Sequence, residues 1–187
     1  MSEKDQERWD AKWESRTQAA FEVHPVLTNN QELLKGEGDA LDLPCGRGQN
    51  TLWLAALGYR VVGLDISRVA LDFAMSEAQR HGQSQRTEFN QVDIDHYPLP
   101  EAAYDLICVI RFLDRSLFPG LKAALRPGGL IVYATRHLGA LEIYPDTNSA
   151  YLLRDSELLR EFDEWPLLHY HEGPIEAEII ASKPPKK

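Results

Sequence analysis

The chain has 187 residues, 43% hydrophobic and 26% charged, with 20 lysines and arginines against 29 aspartates and glutamates, for a net charge of −9. That length suits one domain with a single core. The acidic balance disfavours a nucleic-acid partner, which calls for a basic footprint. No apolar run approaches the ~20 residues of a membrane helix, and the charged start MSEKDQERWD does not read as a secretory leader, so a cytoplasmic location is expected.

The two cysteines, Cys45 and Cys108, form no C-x-x-C pair and each lies in an apolar run. They read as buried thiols, and no metal site is expected. His169 and His171 alternate as on a strand and read as surface-facing.

In chain order, residues 3–20 are polar, with Trp9 and Trp13 four apart on one face of a helix. Ala40–Leu43 reads as a short buried strand, followed by the tight turn Pro44-Cys45-Gly46-Arg47-Gly48. Asn50–Leu57 is a helix stopped by Gly58. Tyr59–Leu64 is a second strand, ending at Asp65. Ser67 can cap a helix over Arg68–His81, closed by Gly82. Thr87–Val92 is a third strand, ending at Asp93, and Tyr104–Ile110 has the apolar run of a central strand.

Leu117–Leu125 reads as helical and is broken by Arg126-Pro127-Gly128-Gly129. Leu130–Thr135 is the next strand, and Leu138–Tyr151 is an irregular stretch, long for an α/β connection. Ser156–Phe162 is a helix with an N-cap serine. Leu167–His171 and Ala177–Ser182 are two closing strands joined by a Gly-Pro turn, which suggests an antiparallel pair. Strand–helix alternation of this kind argues for a mostly parallel sheet covered by helices on both faces, with its ligand outside the carboxyl ends of the strands. The expected organisation is an N-terminal helical lid segment (1–38), an α/β core (39–182) and a flexible basic tail (183–187) with Lys183, Lys186 and Lys187.

Gly46 and Gly48 stand between a buried strand and a helix, where glycine permits a sharp turn and close approach of a ligand. Asp65, ending the following strand, is placed to accept hydrogen bonds from both ribose hydroxyls of a nucleoside and to repel a 2′-phosphate. A structural turn with a helix-capping aspartate is the plainer alternative. The run Gly46-Arg47-Gly48-Gln49-Asn50-Thr51 lacks the third glycine of the dinucleotide fingerprint, which favours a mononucleoside-like ligand over NAD.

Leu41-Asp42-Leu43-Pro44-Cys45-Gly46-Arg47-Gly48 resembles motif I of the class I S-adenosylmethionine methyltransferases, and Val61-Val62-Gly63-Leu64-Asp65-Ile66-Ser67 resembles their motif II. Tyr104-Asp105-Leu106-Ile107 and Leu125-Arg126-Pro127-Gly128-Gly129 resemble their later motifs. The likeness runs over roughly residues 5–182. Trp9-Asp10-Ala11-Lys12-Trp13 and the Pro-Cys-Gly turn resemble the thiopurine methyltransferase type. Phe112–Pro119, and Tyr151-Leu152-Leu153 leading into Glu157-Leu158-Leu159, resemble the tellurite-resistance (TehB) type. Pro44 departs from the commoner glycine of motif I.

The resemblance implies a Rossmann-like fold with a seven-stranded sheet and an antiparallel C-terminal strand. It implies S-adenosylmethionine as cofactor and a small-molecule methyl acceptor, a thiol or a selenium or tellurium oxyanion. Asp42 and Pro44 belong to the cofactor motif, with the Gly46–Gly48 turn under the methionine part. Asp65 is expected on the ribose, Ile66 on the adenine, Asp93 on the adenine amino group, with a helix-cap or turn role as its alternative, and Ile94 on the ring edge. Ile110 and Arg111 are expected at the methionine end, and Trp9 and Trp13 in a lid over the cofactor, with plain packing as the alternative for the two indoles.

No catalytic base stands out. Arg111, Asp114, Arg115, Arg136, His137 and Tyr144 are the candidates near the mouth, with Asp114 and Arg115 also readable as a structural ion pair. Two other readings stay open: a module that binds S-adenosylmethionine without turnover, and an NAD-linked oxidoreductase.

Overall fold

The computed structural model describes residues 3–15 and 20–185. Lys186 and Lys187 of the expected tail lie outside the described residues. The chain divides into two compact units, 1–98 and 99–187.

The first unit starts with helix α1 (Glu3–Glu14), which buries no residue, and a one-turn helix α2 (Pro25–Thr28). Three parallel strands follow: β1 (Asp39–Asp42), β2 (Arg60–Asp65) and β3 (Thr87–Gln91). β2 lies between its partners, with Ala40 beside Val61 and Val61 beside Thr87. Helix α3 (Gln49–Leu57) joins β1 to β2 and stops at Gly58 as expected. Helix α4 (Arg68–Arg80) joins β2 to β3, and the Ser67 hydroxyl accepts from the Ala70 N–H at its start. The apolar side of α4, with Ala70, Leu71, Ala74 and Ala78, is buried.

The second unit holds β4 (Tyr104–Ile110), helix α5 (Phe118–Ala124), β5 (Leu125–Arg136), helix α6 (Glu157–Glu161), β6 (Leu167–Glu172) and β7 (Glu176–Ser182). β4 and β5 are parallel, and β7 runs antiparallel to both β5 and β6. The antiparallel closing pair is as the Gly-Pro turn suggested. Over the whole chain the strand order is β3-β2-β1-β4-β5-β7-β6, a seven-stranded, mostly parallel sheet of the Rossmann-like class. Among the described residues no helix is long and apolar enough to cross a membrane. Cys45 and Cys108 are both buried, and neither is in a disulfide.

Three local expectations need correction. The Arg126–Gly129 segment does not separate α5 from the strand. β5 begins at Leu125, beside Tyr104, and absorbs the segment through a shift of register between Tyr104 and Leu106. Ser156 does not cap α6. It sits in the left-handed region (φ 53°), and its side chain makes no capping bond. Lys183 is not part of a loose tail: its ammonium donates to the carbonyls of Lys122 and Leu125 at 2.6 and 2.7 Å, closing the end of α5.

Candidate active site

The turn after β1 is set by backbone geometry. Gly46 and Gly48 both lie at positive φ, 53° and 84°. A Cβ on Gly46 would meet the Trp13 indole at 3.2 Å and otherwise open space. A Cβ on Gly48 would stand 2.9 Å from Ala74 Cβ, against α4. The two glycines therefore do different work: Gly48 lets α4 pack close, and Gly46 leaves a cradle bounded by an indole.

Asp65 ends β2 directly under this turn and is only 5% exposed. The Gly46 N–H donates to its Oδ2 at 2.8 Å, and the Ser67 N–H donates to its Oδ1 at 2.9 Å. Each carboxylate oxygen keeps a second lone pair for a ligand. Burial pushes this carboxyl above its ordinary range, the N–H groups of Ser67, Gly46 and Ile66 pull it back, and the nearby Asp10 carboxylate pushes it up again. Burial and the carboxylates of Asp42 and Asp65 likewise push the Cys45 thiol up, so it stays protonated and inert.

The other expected cofactor residues of this unit fall into two groups. Ile66, next to Asp65, and the half-buried Pro44 flank the turn. Asp42 lies beneath it, fully buried, and accepts from the Thr51 hydroxyl at 2.6 Å, tying β1 to α3. Asp93 follows β3 and caps a short helical turn. Its carboxylate accepts from the Asp95 N–H at 3.1 Å and meets His96 Nδ1 at 2.8 Å. Ile94 is 2% exposed.

Trp13 reaches the glycine turn, while Trp9 holds the Lys12 ammonium 3.7 Å over its own ring. Asp10, between the two tryptophans, accepts from the Ser67 hydroxyl at 2.5 Å and from the Val69 N–H at 3.2 Å. Sequence reasoning missed this residue, although it stands inside a quoted motif.

In the second unit, Ile110 ends β4 buried, and Arg111 follows exposed. Arg111 adopts a left-handed φ of 56°, fixed by its N–H donating to the Ala134 carbonyl at 2.7 Å. Arg136, ending the neighbouring strand, lies 4.2 Å over the Tyr144 ring. His137 is buried, against the solvated or acceptor-facing position expected. The Gly139 N–H donates to its Nδ1 at 3.0 Å, so the proton sits on Nε2 and is given to the Gly173 carbonyl. Both ring nitrogens are engaged, which removes His137 as a free base.

Asp114 and Arg115 do not pair with each other. Asp114 accepts from the Ser116 N–H and hydroxyl at 2.9 and 2.7 Å. Arg115 instead clamps Glu157 with two hydrogen bonds of 2.6 and 2.8 Å and donates to the carbonyls of Ala150 and Leu152 at 2.9 and 3.0 Å. Burial alone would push the Glu157 carboxyl up. The bonds from Arg115 outweigh it and hold the carboxyl below its ordinary range. The clamp closes the stem of the irregular segment 138–151, where the Leu138 N–H also donates to the Leu153 carbonyl at 2.9 Å.

Replacing Arg115 with alanine is expected to destabilise the chain by about 1–2 kcal/mol, modest because the side chain is more than one third exposed. Trypsin and chymotrypsin should then cut preferentially within 138–151. Wild-type resistance of that segment would show that the clamp does not hold it.

A glycine turn on a buried carboxylate at the carboxyl ends of parallel strands is an arrangement of the Rossmann-like folds. Residues 40–129 match the family model of the methyltransferase domain. A 2-heptyl-1-hydroxyquinolin-4(1H)-one methyltransferase from Mycobacteroides abscessus is 31% identical over 104 residues, 56% of this chain and 43% of that protein. A ubiquinone biosynthesis O-methyltransferase from Leptothrix cholodnii is 26% identical over 176 residues, 81% of this chain and 74% of that protein. The crystal structure of TehB from Haemophilus influenzae superposes with a TM-score of 0.77 at 20% identity, covering 94% of this chain and 67% of that one. The chain spans under half the length of several curated relatives that it matches. The family model covers residues 40–129 of the chain, and the likeness to TehB shows the class I S-adenosylmethionine methyltransferase fold.

Proposed function

We propose that this chain binds S-adenosylmethionine over the Gly46–Gly48 turn and transfers its methyl group to a small-molecule thiol or to a selenium or tellurium oxyanion. The observation that carries the cofactor assignment is the Asp65 carboxylate, held under the turn by the N–H groups of Gly46 and Ser67 with one lone pair left on each oxygen. Those lone pairs suit the two ribose hydroxyls. The open cradle at Gly46 suits close approach of the methionine part, with Trp13 covering it. Ile66 packs against the adenine, and Asp93 and Ile94 meet its edge from the loop after β3. Ile110 and Arg111 are the candidates that the family resemblance offers for the methionine end. Asp42 acts from behind the turn and Pro44 stiffens it.

When bound, the cofactor supplies an activated methyl group on a sulfonium. The chain's own residues then have to orient the acceptor and exclude water. His137 is buried with both ring nitrogens engaged, Arg115 is clamped on Glu157 and Asp114 caps a turn, so none of these three candidates is offered as a base. The other two charged candidates, the exposed Arg111 and the half-buried Arg136, are cations. This supports an acceptor that needs no proton removed by the protein, which describes a soft sulfur, selenium or tellurium nucleophile better than an alcohol or amine. The cations suit an anionic acceptor.

A ligand at a hundredfold excess over its Kd stabilises the folded state by about 2.7 kcal/mol. At roughly 2–4 °C per kcal/mol, S-adenosylmethionine or S-adenosylhomocysteine should raise the melting temperature by about 5–10 °C, and NAD and NADP should not. A shift with NAD alone would overturn the reading. Labelled methyl transfer to a panel of thiols, selenite, tellurite, catechols and amines then tests the acceptor class. Turnover confined to catechols or amines would reject it, and binding without turnover on any acceptor would point to a sensor.

A further inference from the structure

Helix α1 has little to hold it in place. It buries no residue, and a polar helix of 12 residues is marginal on its own. Besides the Trp13 contact at Gly46, Asp10 ties it to the start of α4. Asp10 Oδ1 accepts from the Ser67 hydroxyl at 2.5 Å and from the Val69 N–H at 3.2 Å. Ser67 already caps α4 through the Ala70 N–H. Asp10 is therefore a second cap, brought by another helix, and it sets a negative charge at the positive end of α4.

The same serine touches the cofactor side of the site. Its N–H donates to Asp65, while its hydroxyl donates to Asp10. The ribose carboxylate and the helical lid thus meet on one residue. Trp13 lies one turn beyond Asp10 on α1, and its indole covers Gly46.

We propose that Asp10 is a positioning residue that latches α1 closed, sets Trp13 over the glycine turn and slows release of the bound cofactor. This rests on the cofactor reading above. Asp10 does not touch the ligand. It acts by holding the end of α1 that carries the indole, and the cofactor leaves when the latch opens and α1 lifts.

The test uses the full chain, as wild type and as Asp10→Ala, Asp10→Asn and Glu7→Ala variants. Glu7 is exposed on the same helix and serves as the control. Hydrogen exchange over residues 3–14 is measured first, without ligand. Asp10→Ala should exchange about 10–100-fold faster there, the loss expected for hydrogen bonds to a charged group. Asp10→Asn keeps an acceptor oxygen and should stay within several-fold of wild type, and Glu7→Ala should match wild type. Release of S-adenosylhomocysteine is then followed by a chase in stopped flow, where Asp10→Ala should be faster by a similar factor with association not slowed.

Unchanged exchange over 3–14 in Asp10→Ala overturns the latch, whether or not the nucleoside binds. So does a uniform rise across the amides of β2 and β4, which would mark general destabilisation. Faster exchange with unchanged release overturns the link to the cofactor. Absence of any nucleoside binding to wild type rejects the cofactor reading and with it the slowed release, and the exchange result alone then decides whether Asp10 holds α1.

Discussion

Asp65→Ala is expected to weaken S-adenosylhomocysteine binding about 10- to 100-fold and, at the same time, to lower the melting temperature by roughly 5–15 °C. The first effect follows from losing charge-assisted hydrogen bonds to the ribose, about 1.5–3 kcal/mol. The second follows from the N–H groups of Gly46 and Ser67, which this carboxylate satisfies in a site only 5% exposed. Removing the acceptor leaves both donors buried and unmatched, about 1–3 kcal/mol each. The sequence offers Asp65 for the ribose, and the structure adds that it also satisfies the backbone of the turn. Calorimetry and thermal melting of the same preparation check both halves. Full affinity with an unchanged melt would remove Asp65 from the site and from the turn.

Gly48→Ala is expected to cost about 2–5 kcal/mol of stability, from strain at φ 84° and from a Cβ pressed to 2.9 Å of Ala74. Gly46→Ala should behave differently. Its φ of 53° lies in the ordinary left-handed region, and the new methyl would meet only the Trp13 indole. That variant should stay folded, losing about 1–2 kcal/mol, yet bind the cofactor poorly because the methyl intrudes on the cradle. Denaturant melts and nucleoside titrations of the two variants separate the roles. Equal loss of stability in both, with binding retained by Gly46→Ala, would show that the cradle is not used.

The fold was legible where a periodic pattern and its punctuation agreed. Tyr104–Ile110 emerges with the expected ends because a mostly apolar run of strand length is closed by Arg111. α4 emerges because Ser67 both precedes the pattern and caps it. The failures share a cause. Ser156 has the residue type of a cap, but it is left-handed and its N–H donates to the distant Glu172 carboxylate. α2 is too short to show any period, and the β5 start depends on a partner strand rather than on its own proline and glycines.

The site was legible in its backbone parts, because glycine positions and a strand-ending acid are local signals. Asp10 and the Arg115–Glu157 clamp were not, since each joins segments far apart in sequence. His137 could be seen as a residue but not as a buried strut between two backbone groups.

The clamped stem at 138–153 has a consequence for how such a scaffold diversifies. Its two ends are fixed by Arg115 and by backbone bonds at Leu138 and Leu153, none of which involves the tip residues 143–148. Lengthening a loop whose ends are already pinned costs only about 0.6 kcal/mol per doubling. Selection can therefore exchange the sequence and length of the tip with little penalty to the strands beneath. Related chains that keep the Arg-Glu pair and differ at the tip would share one stem under different loops, so the surface of the segment can vary while the strands stay unchanged.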